Sequence, residues 1–162
     1  MPQIFDYLTD KNIDIALIQE TWIRKVDTAI VAEIKEYNFK IEQVRKPRVL
    51  DIGGGVAILF KNNFKLKKMK TEIFSSFEHI TCSAKMENGI QIYFSTVYYP
   101  GYSSKHKYTS MQFLSDFSDF LLTCTEELHL ITGDFNIHYE DTNRQETKEL
   151  SKRLYLKMIL LN

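Results

Sequence analysis

The sequence lacks most of the features that announce a function from composition alone. It has two cysteines, Cys82 and Cys124, in unrelated contexts. No disulfide framework and no thiolate metal spacing can be built from them. They read as small buried hydrophobes, and such sparse use fits a reducing, intracellular compartment. Net charge is missing too, because 21 Lys and Arg balance 21 Asp and Glu. A long-range field drawing in nucleic acid is excluded, although local patches are not. No apolar run approaches the roughly 18 residues of a membrane helix, so no membrane partner is expected. The start, Met1 to Asp6, has no basic segment leading into an apolar one, which argues against secretion. No linker or internal repeat divides the chain. Its 162 residues, 44% hydrophobic and 26% charged, read as one domain of ordinary globular composition.

What is present is a sequence of well-marked elements. Ile4, Phe5 and Leu8 follow Pro2 at helical spacing, and Asp10-Lys11-Asn12 then makes a turn. Ile13 to Ile18 is a short apolar, β-branched run and reads as a buried strand. Ile30, Val31 and Ile34 mark a helix over Asp27 to Tyr37. Gly53-Gly54-Gly55 leads into a second buried strand, Val56 to Phe60. The glycines suit a tight turn or a close backbone approach. They lack the lysine and the following helix of a phosphate-binding P-loop. Lys61 to Lys70 holds five lysines around Phe64, Leu66 and Met69. A solvated edge strand explains it better than a DNA-phosphate surface, since lysines block edge pairing. Asn88-Gly89 joins two extended runs, Phe77 to Met86 and Ile90 to Tyr99, as a hairpin. Phe94, Thr96 and Tyr98 share one face of the second run. Thr109 and Gln112 form a capping box, with Tyr108 and Phe113 as its staple, before a helix carrying Phe113, Phe117, Phe120 and Leu121. Leu128 to Thr132 is a final strand. The tail from Arg144 could add a helix through Leu150, Leu154 and Met158.

Two acidic residues follow apolar strands directly. Glu20 comes after Ile13–Ile18 and Asp134 after Leu128–Thr132. Strand ends can bring such residues into one cleft with rigid support behind them. Asp134 and Asn136 would point the same way if the chain stays extended there. One or two carboxylates suit Mg²⁺, which keeps several waters and polarises phosphoryl oxygens. Taken singly, Glu20 reads as a solvated strand-end residue and Asp134 as a turn residue.

Four segments in order change that balance. Gln19-Glu20-Thr21, Gly54-Gly55-Val56-Ala57-Ile58, Val97-Tyr98-Tyr99-Pro100 and Gly133-Asp134-Phe135-Asn136 resemble the signatures of the endonuclease/exonuclease/phosphatase superfamily. The branch they are most similar to is the endonuclease domain of non-LTR retrotransposons. The resemblance implies an α+β fold, an incomplete four-layered α/β/β/α sandwich of the pancreatic deoxyribonuclease type. It covers residues 2–141 and leaves 142–162 as a divergent tail of a single partial domain. It implies Mg²⁺ (or Mn²⁺) as cofactor, with Glu20 as the metal ligand. Asp134 would orient the attacking water, Asn136 would contact the scissile phosphate, and Tyr98 would hydrogen-bond it. His138, just beyond the last motif, is left as a loop residue. DNA would be the substrate, a reverse transcriptase domain a neighbour in the parent polyprotein, and the nucleus the place of action.

The family pattern also begins with an asparagine-bearing strand and ends with a Ser-Asp-His segment, and neither is found here. The expectation is an inactive or weakly active fragment that self-associates through open sheet edges. The alternatives are a remnant that binds nucleic acid without cutting it, and another phosphoesterase of the same superfamily.

Overall fold

The computed structural model describes residues 2–23, 28–46, 53–70, 72–101, 108–125 and 128–137. His138 and the tail helix expected over Leu150–Met158 lie outside the described residues. In chain order the elements are α1 (Pro2–Asp10), β1 (Ile15–Gln19), α2 (Thr28–Glu36), β2 (Phe39–Val44), β3 (Val56–Lys61), β4 (Leu66–Lys68), β5 (Glu78–Lys85), β6 (Gln91–Tyr98), α3 (Ser110–Thr123) and β7 (His129–Asp134).

The strands form two sheets. One is antiparallel with order β1-β3-β2, and the other has order β4-β5-β6-β7, with β7 running parallel to β6. The sheets face each other across Val56, Ile58 and Phe60 of β3, Ile80 and Cys82 of β5, and Tyr98 of β6. The opposite face of the first sheet, with Leu59 and Phe39, is covered by Phe5 and Leu8 of α1 and Ile34 of α2. On the far side, Phe113, Phe117 and Phe120 of α3 pack with Phe74, Phe77 and Val97. This is the four-layered α/β/β/α arrangement expected from the sequence.

Local chemistry accounts for the elements. Thr109 caps α3 by accepting the Gln112 N–H at 3.2 Å, as the capping box predicts. The ring that stacks on Phe113 is that of Tyr99, at 4.4 Å between centroids. Asp116 of α3 accepts the backbone N–H of Ser76 at 3.0 Å and its hydroxyl at 2.7 Å, tying the helix to the entry of β5. Gly89 closes the β5–β6 hairpin at φ +87, a conformation glycine adopts freely. β4 is the lysine-bearing edge strand predicted between Lys61 and Lys70.

Two readings need correction. β1 is half-buried along its length, not fully buried, because among the described residues it pairs on one side only, with β3. β2 was not anticipated. Its hydrophobic residues, Phe39, Ile41 and Val44, break the period of two at the end, because Phe39 and Ile41 face the helices while Val44 packs between the sheets.

Candidate active site

The first component is set by one unusual backbone residue. Ile15 and Leu17 of β1 point between the sheets, while Ala16 and Ile18 point toward the helices. A regular strand would send Glu20 the same way as Ile18. Instead Glu20 adopts φ +51, in the left-handed region. The pairing shifts at that point. Gln19 is opposite Val56, yet Thr21 N–H donates to the Gly55 carbonyl at 3.1 Å and Trp22 N–H to that of Gly54 at 3.0 Å. Glu20 is thus the inserted residue of a bulge, a device that re-aims a side chain. Its carboxylate Oε1 accepts the hydroxyl of Tyr98, which belongs to the opposite sheet. Just behind, Gln19 Nε2 donates to Thr96 Oγ1 at 2.5 Å across the same gap. Gly55 permits the bulge: at φ +92, an added Cβ would lie 2.4 Å from Thr21 Oγ1.

The second component is the end of β6 and β7. Tyr98 and Asp134 are register partners on these parallel strands, so their side chains are neighbours on one face. Tyr99 N–H donates to the Asp134 carbonyl at 2.9 Å, which continues the ladder past them. The chain does not stay extended from Asp134 to Asn136. Asp134 Oδ1 accepts the Asn136 N–H at 3.1 Å, and Asn136 sits at φ +43. This is an Asx turn, and asparagine tolerates that conformation. Asn136 Nδ2 then donates to the Tyr99 carbonyl at 2.9 Å. Phe135 anchors the turn against Phe117 and Phe113, at 5.3 and 5.8 Å between centroids. Gly133 is required by the neighbouring strand, since a Cβ there would lie 2.4 Å from the Val97 carbonyl oxygen. Each residue of Gly133-Asp134-Phe135-Asn136 therefore has a separate physical reason.

Glu20, Tyr98, Asp134 and Asn136 thus meet at one mouth of the sandwich, with Glu20 and Asn136 exposed and Asp134 half-buried. Among the described residues no group of three or more His, Cys, Asp or Glu side chains could hold a metal. The exposed carboxylate of Glu20 is a hard oxygen donor and fits Mg²⁺, which binds through few protein ligands and keeps its waters.

The model of the Endonuclease/Exonuclease/phosphatase family matches residues 3–158. The chain belongs to that family. Among solved structures, that of D. rerio TDP2 complexed with single strand DNA product is similar, with a TM-score of 0.57 at 16% identity. The match covers 88% of this chain and 56% of that one, so the chain spans little more than half the length of its structural relative. No curated protein matches the sequence.

One buried carboxylate of this Endonuclease/Exonuclease/phosphatase chain went unnoticed in the sequence. Glu78, 2% exposed, is the register partner of Tyr98. It accepts the Gly55 N–H at 2.5 Å through Oε2 and the Lys46 N–H at 3.2 Å through Oε1. It fastens both ends of the β2–β3 connection and so holds the glycine turn under Glu20. Its parity was the available signal: Glu78 lies on the face of β5 shared by Ile80 and Cys82, where a charge is out of place unless it is hydrogen-bonded. The cysteines are free, and burial pushes both thiols up to about 11, away from thiolate chemistry.

Proposed function

We propose that this site hydrolyses phosphodiester bonds with the help of a divalent ion, as the DNA-nicking endonuclease domain of a non-LTR retrotransposon. The observation that carries the reading is the bond between Glu20 and Tyr98 across the two sheets, with Asp134 in register beside Tyr98. It joins a hard anionic ligand, a phenol donor and a second carboxylate. Glu20 would hold hydrated Mg²⁺ (or Mn²⁺), which when bound polarises the phosphoryl oxygen and stabilises the leaving oxyanion. Asp134 orients a water for in-line attack and accepts its proton. Its own orientation is fixed by the Asn136 N–H. Tyr98 has a single O–H, which holds the Glu20 carboxylate in place; once Glu20 takes up the ion, that hydrogen would turn to a non-bridging phosphate oxygen as charge builds there. Asn136, exposed beside Asp134, steadies the same phosphate group.

DNA as the substrate is supported by the fold shared with a protein crystallised with a single-stranded DNA product. A reverse transcriptase neighbour and nuclear action follow from the retrotransposon reading and stand with it. Among the described residues, His79 and His129 lie on the α3 side of the second sheet and supply no imidazole to this mouth.

The test is nicking of supercoiled plasmid by excess protein in Mg²⁺. Nicked circles should form slowly and not at all in EDTA. Glu20→Gln and Asp134→Asn should each lower the rate by about 10² or more, the usual cost of removing a group that acts in the transition state. Nicking that survives Glu20→Gln undiminished would overturn the proposal.

A further inference from the structure

The one tryptophan of the sequence is placed where a protein core has no use for it. Trp22 is 56% exposed, two residues beyond Glu20. Exposure alone decides nothing, since Tyr7 is 57% exposed on the outer face of α1. Trp22 differs in being held in a costly conformation. Its φ is +56, which a bulky side chain rarely adopts. Both sides of the residue are pinned. Its N–H donates to the Gly54 carbonyl at 3.0 Å, and Ile23, next in the chain, is 3% exposed with its N–H on Thr21 Oγ1 at 3.4 Å. Backbone strain of this kind persists where the surroundings fix it, and it clusters at binding sites.

We propose that Trp22 is a stacking platform for an unpaired nucleobase next to the phosphate bound at Glu20. The proposal deepens the phosphodiesterase reading and rests on it for the position of the phosphate. Three points lead to it. The ring is large, aromatic, exposed and mounted on immobile backbone, so little conformational freedom is lost on binding. It stands two residues beyond Glu20, whose carboxylate lies at the mouth. The chain has no net charge to draw in a polyanion, so grip must come from contacts other than long-range attraction. Base–aromatic stacking supplies such grip and tolerates any sequence, because every base has a π-face. The substrate class is therefore nucleic acid with an unstacked base beside the scissile bond, such as a single strand, a frayed end or a flipped nucleotide.

The single tryptophan makes the test direct. The 162-residue chain is titrated with a short single-stranded oligonucleotide, in EDTA and again in Mg²⁺, while indole emission is followed at an excitation that tyrosine does not absorb. An abasic oligonucleotide of equal length and charge is the control, and binding of both is measured by anisotropy of an end label. The base-bearing strand should quench emission and the abasic strand should not. Trp22→Ala should weaken binding of the base-bearing strand on the order of tenfold and leave the abasic strand unaffected, while Trp22→Tyr restores most of it. Equal quenching by both strands, binding without quenching, absence of binding, or equal losses for both strands in Trp22→Ala would each overturn the proposal. Quenching without any nicking would leave the platform standing and remove the hydrolytic reading. Nicking without quenching would do the opposite.

Discussion

At the scale of single residues, the site depends on backbone conformations that side-chain chemistry cannot supply. Glu20 works only because an αL residue turns it from the helix side to the gap between the sheets. Such a conformation costs roughly 1–2 kcal/mol for a residue with a Cβ. The glycines beside it and across from it fall into two classes, which gives a prediction. Gly53, at φ +74, would place a Cβ in open space, so Gly53→Ala meets the conformational cost alone, about 1 kcal/mol. Gly133 lies between strands, and a Cβ there would meet the Val97 carbonyl oxygen at 2.4 Å. Gly133→Ala must part β6 from β7 and should cost more, roughly 2–3 kcal/mol. Paired thermal melts check the order. Equal shifts, or the larger one in Gly53→Ala, would show that the β6–β7 contact is not the constraint. The Gly-Asp-Phe-Asn motif was legible in the sequence because each position carries its own side-chain or Cβ requirement. The bulge at Glu20 was not, since nothing in Gln19-Glu20-Thr21 distinguishes an inserted residue from a paired one. At Asp134 the sequence left a turn and an extended chain both open, because the same spacing suits either, and only the Asn136 N–H decides between them.

At the scale of elements, helices and hairpin were readable because their signals are local: the Thr109 cap, the Asn-Gly turn, the period of the α3 phenylalanines. β2 and Glu78 were not, because both are defined by partners distant in sequence, β3 for the one and Gly55 and Lys46 for the other. The layer between α3 and β5 holds a titratable group with consequences for stability. His79 is 6% exposed among Phe74, Phe77 and Phe120, with ring centroids 5.6, 5.5 and 4.9 Å away. Its Nε2 has no hydrogen-bond partner among the described residues. Burial, aided by the charge of Lys46, lowers its pKa from 6.5 to about 4. The folded state therefore prefers the neutral ring. Above pH 6.5 the ring is neutral in both states and no stability is lost. Between 6.5 and 4 the unfolded chain binds the proton first, so stability falls with pH across that window, by on the order of 3 kcal/mol in all. Denaturation of the protein and of His79→Leu from pH 7 to 4 should give curves that diverge as pH drops, with the variant the less sensitive. Parallel curves would show that α3 docking does not depend on the neutral imidazole.

At the scale of the whole molecule, two short sheets make a sandwich with several borders that no strand among the described residues covers, and these are not equally guarded. β4 closes one border of the second sheet with exposed Lys67 and Lys68, charges that discourage another strand from pairing there. β7 lies at the opposite border and carries no such charge along Leu130, Ile131 and Thr132. Leu130 is 50% exposed, and Leu128 just before it 47%. β1 ends the first sheet with Ile15, Ala16, Leu17 and Ile18, again without a charge. Among the described residues nothing pairs with the outer backbone groups of these two strands, and such groups beside apolar side chains are the template for edge-to-edge association. The zero net charge adds no repulsion between copies. The chain should therefore associate reversibly as its concentration rises, and sedimentation velocity over a concentration series would reveal it. Leu130→Lys places a charge on the β7 border at a half-exposed position, where the core loses little. It should shift the distribution toward monomer while the melting temperature moves by no more than a surface substitution usually causes, within about 0.5 kcal/mol of stability. If the unaltered chain sediments as a monomer at every concentration, its borders are covered in some other way. If it associates but Leu130→Lys does not weaken the association, the contact runs through β1 instead, and a lysine there becomes the discriminating change.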